Sequence, residues 1–310
     1  MKRILITGIE GFVGNHLLRF LRTKKYKIYG MHYKPCQLDE VIRYHGDIRD
    51  YSWVLKVIED AKPTVIFHLA AQSSVAYGEK ERFETFSINV TGTFNVLEAV
   101  YALGINSRII YVSSCEVYGI HTKKVTEKSL LKPVSFYATT KICAENLCHY
   151  YNKIRGLDVI ILRPFSHTGP GQSEQFIFPR IARKIVEIEK GMIKPVIEVG
   201  NLNLKRDYTD VRDIVRAYEL AMNFCKSGEV YNITSGKLYT LKTGVDYLLS
   251  LTNKKIDLRI NKSLFRRNDI PLLTGSAQKF IRLTGWQPKI DFFTTLKDLL
   301  EYYRQNLKVL

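Results

Sequence analysis

The chain has 310 residues, with 45% hydrophobic and 25% charged side chains and 47 Lys and Arg against 30 Asp and Glu, a net charge of +17. Such a length and balance exclude a disordered chain and argue for one large or two fused globular domains with a sizeable core. The five cysteines (36, 115, 143, 148 and 225) form no CxxC pair, which argues against a disulfide framework and a zinc cage, and no segment reaches the ~18–20 apolar residues of a membrane span.

Taken in order, apolar β-rich runs alternate with helical patterns. Strands are predicted over 2–7, 27–31, 64–69, 108–113 and 158–163, and helices over 15–24, 52–60, 84–103 and 137–155. The 84–103 segment reads as one long helix. The strands are nearly continuous in Val, Ile and Leu, as a parallel sheet buried on both faces requires. Alternation of this kind implies βαβ units, so the fold class is α/β, a Rossmann-type doubly wound parallel sheet. After Pro164 the pattern changes. Residues 166–175 read as a loop, 176–190 and 211–223 as helices, and 229–234 as a short strand. Helices and loops without regular alternation follow. The expected division is a dinucleotide-binding domain over 1–165, with 208–235 returning to it, and a smaller C-terminal domain over 166–207 and 236–310.

The first strand runs into Thr7-Gly8-Ile9-Glu10-Gly11-Phe12-Val13-Gly14 and then a helix. Glycines at this spacing allow a tight turn and a close approach of backbone to a pyrophosphate, which the helix-start amides then bind. Phe12 and Val13 belong to the same turn. An acid at the end of the second strand would bind ribose hydroxyls, and a base there would accommodate a 2′-phosphate. The stretch Gly30-Met31-His32-Tyr33-Lys34 contains no acid, and His32 and Lys34 favour NADP(H), with NAD(H) the alternative.

Tyr137 and Lys141 stand four apart at the start of a helix and share one face. A neighbouring ammonium is expected to lower a phenol's pKa and make it a workable acid or base near neutral pH. The pair follows Ser113-Ser114-Cys115-Glu116 by one loop, and a strand-end hydroxyl completes a hydride-transfer site. No metal is needed for such chemistry. The net charge favours anionic partners, a nucleoside diphosphate or a nucleic acid. The lysines are scattered rather than blocked, so no nucleic acid is expected. Nor is a membrane partner. The basic start is too short and too broken by glycines for a signal peptide, and a cytoplasmic location is expected.

Residues 1–165 resemble an extended short-chain dehydrogenase/reductase. The matching pieces are TGIEGFVG, Gly46-Asp47-Ile48, His68-Leu69-Ala70-Ala71-Gln72, Asn89-Val90-Thr91-Gly92-Thr93, VSSCEVYG and Tyr137-Ala138-Thr139-Thr140-Lys141. The resemblance implies that Asp47 and Ile48 flank the adenine, and that Leu69, Ala70 and Ala71 line the dinucleotide. It also implies that Ser114 and Tyr137 touch the substrate oxygen, and that Lys141 holds the nicotinamide ribose. Further on, RPFSHTGPGQ (163–172), VGNLNLKRDYTDVRD (199–213), YNITSGK (231–237) and TGWQP (284–288) are similar to the GDP-mannose dehydratase and GDP-4-keto-6-deoxymannose reductase group, the second and later segments most to the reductases.

That likeness implies NAD(P)H-dependent reduction of a GDP-4-keto-6-deoxyhexose, with Arg206 and Arg266 clamping the diphosphate, Ser166 and Asp269 beside it, and a homodimer formed through helices 84–103 and 137–155. Two departures stand out: Ser166 replaces the group's asparagine, and Arg267 replaces a proline after Arg266. Glu116 matches a proton-removing glutamate of related 4,6-dehydratases, and His167 is expected to position the loop. A sugar-nucleotide 4,6-dehydratase or 4-epimerase is the enzymatic alternative. A non-catalytic Rossmann protein that binds RNA or senses redox nucleotides is the other.

Overall fold

The computed structural model describes residues 1–35, 41–265 and 269–307. The first half runs β1 (Arg3–Thr7), α1 (Phe12–Arg22), β2 (Lys27–His32), β3 (Ile42–His45), α2 (Tyr51–Ala61), β4 (Val65–His68), α3 (Val75–Lys80), α4 (Arg82–Phe86), α5 (Gly92–Ala102), β5 (Arg108–Val112), α6 (Phe136–Lys153) and β6 (Asp158–Pro164). The second half runs β7 (His167–Thr168), α7 (Ile177–Glu189), β8 (Val196–Val199), β9 (Lys205–Asp207), β10 (Thr209–Asp210), α8 (Val211–Phe224), β11 (Val230–Ile233), β12 (Leu238–Thr240), α9 (Leu241–Ser250), β13 (Asp257–Ile260), β14 (Leu272–Leu273), α10 (Gln278–Thr284) and α11 (Phe292–Asn306).

Seven strands form one sheet in the order β11-β6-β5-β4-β1-β2-β3. Every adjacent pair is parallel. The order reverses at β1, and ligands of such sheets bind beyond the strand C-termini at that switch point. One face of the sheet packs Ile4, Ile6, Phe67, Ile110 and Ile160 against α1, α8 and α10. The other packs Leu5, Ile66, Ile109 and Ile161 against α2, α5 and α6. Alternate strand residues therefore enter opposite cores, which is why the strands read as unbroken apolar runs. A third core gathers α7, α9 and α11 around Ile185, Val245 and Leu299.

Three elements differ from the sequence reading. The segment expected as one long helix carries a π-helical turn, Ser87–Thr91, between α4 and α5. Such turns insert a residue without breaking the helix and often mark functional sites. The loop after Pro164 contains β7, which pairs with β10. The expected short strand near 229–234 is β11, the edge partner of β6. Strand β3 was not foreseen; its residues are mostly exposed and lack the apolar signature.

Candidate active site

The glycine loop is built as its spacing demands. Gly8 has φ +67°, and a Cβ there would stand 2.9 Å from the Ala70 Cα. A Cβ on Gly14 would stand 2.4 Å from the Gly8 carbonyl oxygen. Gly8 is thus packed against the β4 end and Gly14 against the loop's own backbone, with no room for a side chain at either. Helix α1 starts at Phe12 with Gly11 as its N-cap, and no side chain caps it. Its first amides, Phe12, Val13 and Gly14, form the kind of cradle that accepts a pyrophosphate. The residues present therefore fit a dinucleotide.

Thr7 organises the β4 end. Its Oγ1 accepts hydrogen bonds from the amides of Leu69 (3.1 Å) and Ala70 (3.0 Å). Its proton then goes to His68 Nδ1, 2.8 Å away. That assignment leaves Nε2 of His68 protonated, and it donates to Thr93 Oγ1 at 3.0 Å, which in turn donates to the Asn89 carbonyl. His68 is fully buried, and burial pushes its pKa down to about 3. It is a neutral structural linker between the β4 end and the π-helical turn. Asn89, within that turn, accepts from the Gln72 amide (2.8 Å) and donates to Thr140 on α6 (3.0 Å). Ala71 is half-buried on the same β4–α3 connection.

Asp47 and Ile48 lie beyond β3. The Asp47 carboxylate is gripped by Arg49, with Nη2 2.5 Å from Oδ2, and this pairing holds it below the usual carboxylate range. Ile48 is buried, and its carbonyl accepts from Asn95 Nδ2 at 3.0 Å. His32 ends β2, and Lys34 is exposed beside it.

Ser114, Tyr137 and Lys141 come together at the end of β5. Ser135 caps α6 by accepting from the Ala138 amide, so Tyr137 and Lys141 occupy the first two turns. All three side chains are buried. The Ser114 oxygen accepts from the Glu116 amide at 3.2 Å. Burial raises the Tyr137 phenol well above its ordinary value; the hydrogen bond to Ser114 pulls the other way, and the nearby Glu116 charge adds to the rise.

The expected depression of the Tyr137 pKa by Lys141 is therefore corrected. The Lys141 ammonium sits 5.9 Å from the Tyr137 ring centroid and is committed to the Val112 carbonyl at 2.9 Å. It is itself desolvated, and its pKa falls to about 8 despite the opposing charge of Glu145. A buried phenol of raised pKa stays protonated at neutral pH, which suits a proton donor.

Under α6 lies a network that the sequence reading missed. Glu145 receives both Arg163 Nε (2.9 Å) and Nη2 (2.5 Å), and also the Ser113 hydroxyl. Arg163 Nη1 donates to the Tyr118 hydroxyl at 3.0 Å, which donates to Asn232 Oδ1 at 2.7 Å. The four-residue step from Lys141 to Glu145 is the one sequence signal that could have found it.

The remaining candidates approach from the second half. Arg206 sits on β9 between β12 and β14, opposite Tyr239 and Leu273. Its charge acts on Cys115, placing it on the Ser114–Glu116 side of the molecule. The neighbouring Asp207 anchors the strand by accepting from the Ser235 amide (2.9 Å) and hydroxyl (2.7 Å). The Ser166 carbonyl accepts from the Thr209 amide at 2.9 Å, tying that loop to the same segment. His167 stacks on Phe12 at 6.2 Å and donates Nδ1–H to the Phe165 carbonyl; burial lowers its pKa, so it is neutral. Asp269 is half-buried. Arg266 and Arg267 lie outside the described residues.

Known proteins with this build share the whole chain. The GDP-6-deoxy-D-mannose reductase of Pseudomonas aeruginosa is 29% identical over 310 residues, covering 99% of both chains. The GDP-6-deoxy-D-talose 4-dehydrogenase of Aggregatibacter actinomycetemcomitans is 29% identical, covering 98% of this chain and 97% of its own. Among solved structures, that of RMD from Pseudomonas aeruginosa complexed with NADPH superposes with a TM-score of 0.88 at 28% identity, over 98% of this chain and 99% of that one. A sequence model described as GDP-mannose 4,6 dehydratase matches residues 5–299, which takes in the glycine loop, the Ser114–Tyr137–Lys141 cluster and the Arg206 strand. With these elements in place and matched along almost its full length, the chain belongs to the GDP-mannose 4,6 dehydratase family.

Proposed function

We propose that this protein is a reductase of a GDP-4-keto-6-deoxyhexose, yielding a GDP-6-deoxyhexose of the GDP-rhamnose type. The observation that carries the reading is Tyr137, a phenol kept protonated by burial and hydrogen-bonded to Ser114 at the C-terminal end of β5. When bound, a reduced nicotinamide supplies hydride to the keto carbon. Tyr137 donates its proton to the oxygen as negative charge develops there, and the Ser114 hydroxyl donates a hydrogen bond to the same atom. The Lys141 ammonium offsets the charge left on the phenolate. Glu116 lies close enough to act on Tyr137 electrostatically, and reduction gives it no proton to remove.

Gly8, Gly11 and Gly14 with the α1 amides would hold the pyrophosphate, and Leu69, Ala70 and Ala71 would line the dinucleotide. Asp47 and Ile48 would flank the adenine, and Lys34 with His32 would favour the 2′-phosphate of NADPH. Ser166, Arg206, Arg266 and Asp269 would hold the sugar diphosphate, with arginine forks suited to phosphate. The same reading divides the chain into a dinucleotide unit, 1–165 with 208–235, and a sugar-nucleotide unit, 166–207 and 236–310. It also includes a homodimer through α5 and α6, where Phe94, Tyr101 and Tyr150 are exposed, as is Ile154 at the end of α6, and action in the cytoplasm.

The test mixes the protein with NADPH and GDP-4-keto-6-deoxymannose and follows both nucleotide absorbance and product. One NADPH consumed per GDP-deoxyhexose formed supports the reading. Conversion of GDP-mannose to a keto sugar with NADPH untouched makes the protein a dehydratase, since that reaction returns its hydride within one turnover.

A further inference from the structure

Glu10 lies inside the glycine loop, yet its carboxylate reaches the end of β2. Oε1 accepts from the amides of Tyr33 (2.9 Å) and Lys34 (3.3 Å). The carbonyls of the same two residues are also taken: His45 Nε2 donates to Tyr33 O and His32 Nδ1 to Lys34 O, both at 3.0 Å. The two imidazoles lie against each other at 5.1 Å, across the β2–β3 register pair His32 and His45. The turn after β2 is thus tied down at all four backbone groups. The second carboxylate oxygen, Oε2, is buried and has no hydrogen-bond partner.

In a dinucleotide site of this topology the end of β2 meets the adenosine ribose, and an acid there accepts from the ribose hydroxyls. No acid of β2 itself does so here, since Gly30 to Lys34 has none. We propose that Glu10 supplies that acid from the neighbouring loop. It discriminates between cofactors by charge: its carboxylate, held against the Tyr33 and Lys34 amides at the end of β2, opposes a 2′-phosphate there and leaves a 2′-hydroxyl unopposed.

Two things disfavour the phosphate. A dianion would face a carboxylate of like charge in a partly desolvated place. The Tyr33 and Lys34 amides, which would otherwise suit a phosphate oxygen, are already occupied. Lys34 and the histidine pair pull in the other direction, so Glu10 holds down an NADPH preference that those groups would otherwise set. This inference rests on the dinucleotide reading of the glycine loop and is independent of the sugar substrate.

Dissociation constants of NAD⁺ and NADP⁺ are measured by titration calorimetry for the parent, Glu10→Gln, Glu10→Ser and Lys34→Asp. Glutamine keeps an acceptor for the amides and removes the charge; serine removes both and guards against a folding defect particular to one variant. Both Glu10 variants are expected to raise NADP⁺ affinity relative to NAD⁺ by about tenfold, the scale of removing one nearby like charge. Lys34→Asp is expected to move the ratio the opposite way. A ratio within twofold of the parent in both Glu10 variants overturns the role of Glu10 and leaves the dinucleotide reading intact. Failure of the parent to bind either nucleotide overturns both.

Discussion

Glu145 stands one helical turn beyond Lys141 and takes both arms of the Arg163 fork in a pair that is almost wholly buried. The same carboxylate raises the Lys141 pKa against burial. One ion pair therefore joins β6 to α6, and its carboxylate supports the charged form of the lysine beside Tyr137 against burial. A buried pair is costly to break because it strands the remaining charge. Glu145→Gln should lower stability by roughly 3–5 kcal/mol in urea denaturation. It should also move Lys141 below its value of about 8, so the alkaline fall of turnover shifts to lower pH. A stability loss with an unmoved alkaline limb would make Glu145 purely structural.

Tyr137→Phe removes the proposed proton donor and keeps the ring. Turnover should fall by roughly 10²–10⁴, with nicotinamide dinucleotide affinity little changed. Steady-state kinetics paired with a binding titration measures both. Turnover within a few-fold of the parent would remove Tyr137 from the chemistry.

Arg206→Ala tests the diphosphate clamp. Phosphate held equally in ground and transition states is uniform binding, so KM should rise far more than kcat falls. Equal falls in kcat and kcat/KM would instead mean that Arg206 acts only in the transition state.

His68 gives a pH signature. Its folded pKa of about 3 lies below the ~6.5 of an unfolded histidine, so the unfolded chain binds the extra proton between those values. Its stabilising contribution is complete above pH ~6.5 and is lost as pH falls towards 3. His68→Gln, which keeps a donor and an acceptor, should flatten the fall in Tm over that window relative to the parent. Identical slopes would show that His68 is not buried as a neutral ring.

The sheet and the glycine loop were legible because their causes are local. A parallel strand buried on both faces must be apolar throughout, and a backbone pressed onto the β4 end or onto its own loop must be glycine, so Gly8 and Gly14 declare themselves. The YxxxK step likewise placed Tyr137 and Lys141 on one face of α6. What spacing cannot show is which charges meet after folding. Lys141 reads as the group that lowers the Tyr137 pKa, but burial of both reverses that effect, and burial is a property of the packed core. Strand β3 escaped notice because its residues are mostly exposed and its partner is β2 alone. Glu10 reads as a filler between glycines; only the turn of the chain from β1 to β2 brings its carboxylate onto the Tyr33 and Lys34 amides. The sequence by itself determined the parallel sheet, its glycine loop and the residue types of the Ser114–Tyr137–Lys141 cluster. Tertiary structure decided protonation, tautomer and ion pairing, because these depend on desolvation and on neighbours far apart along the chain.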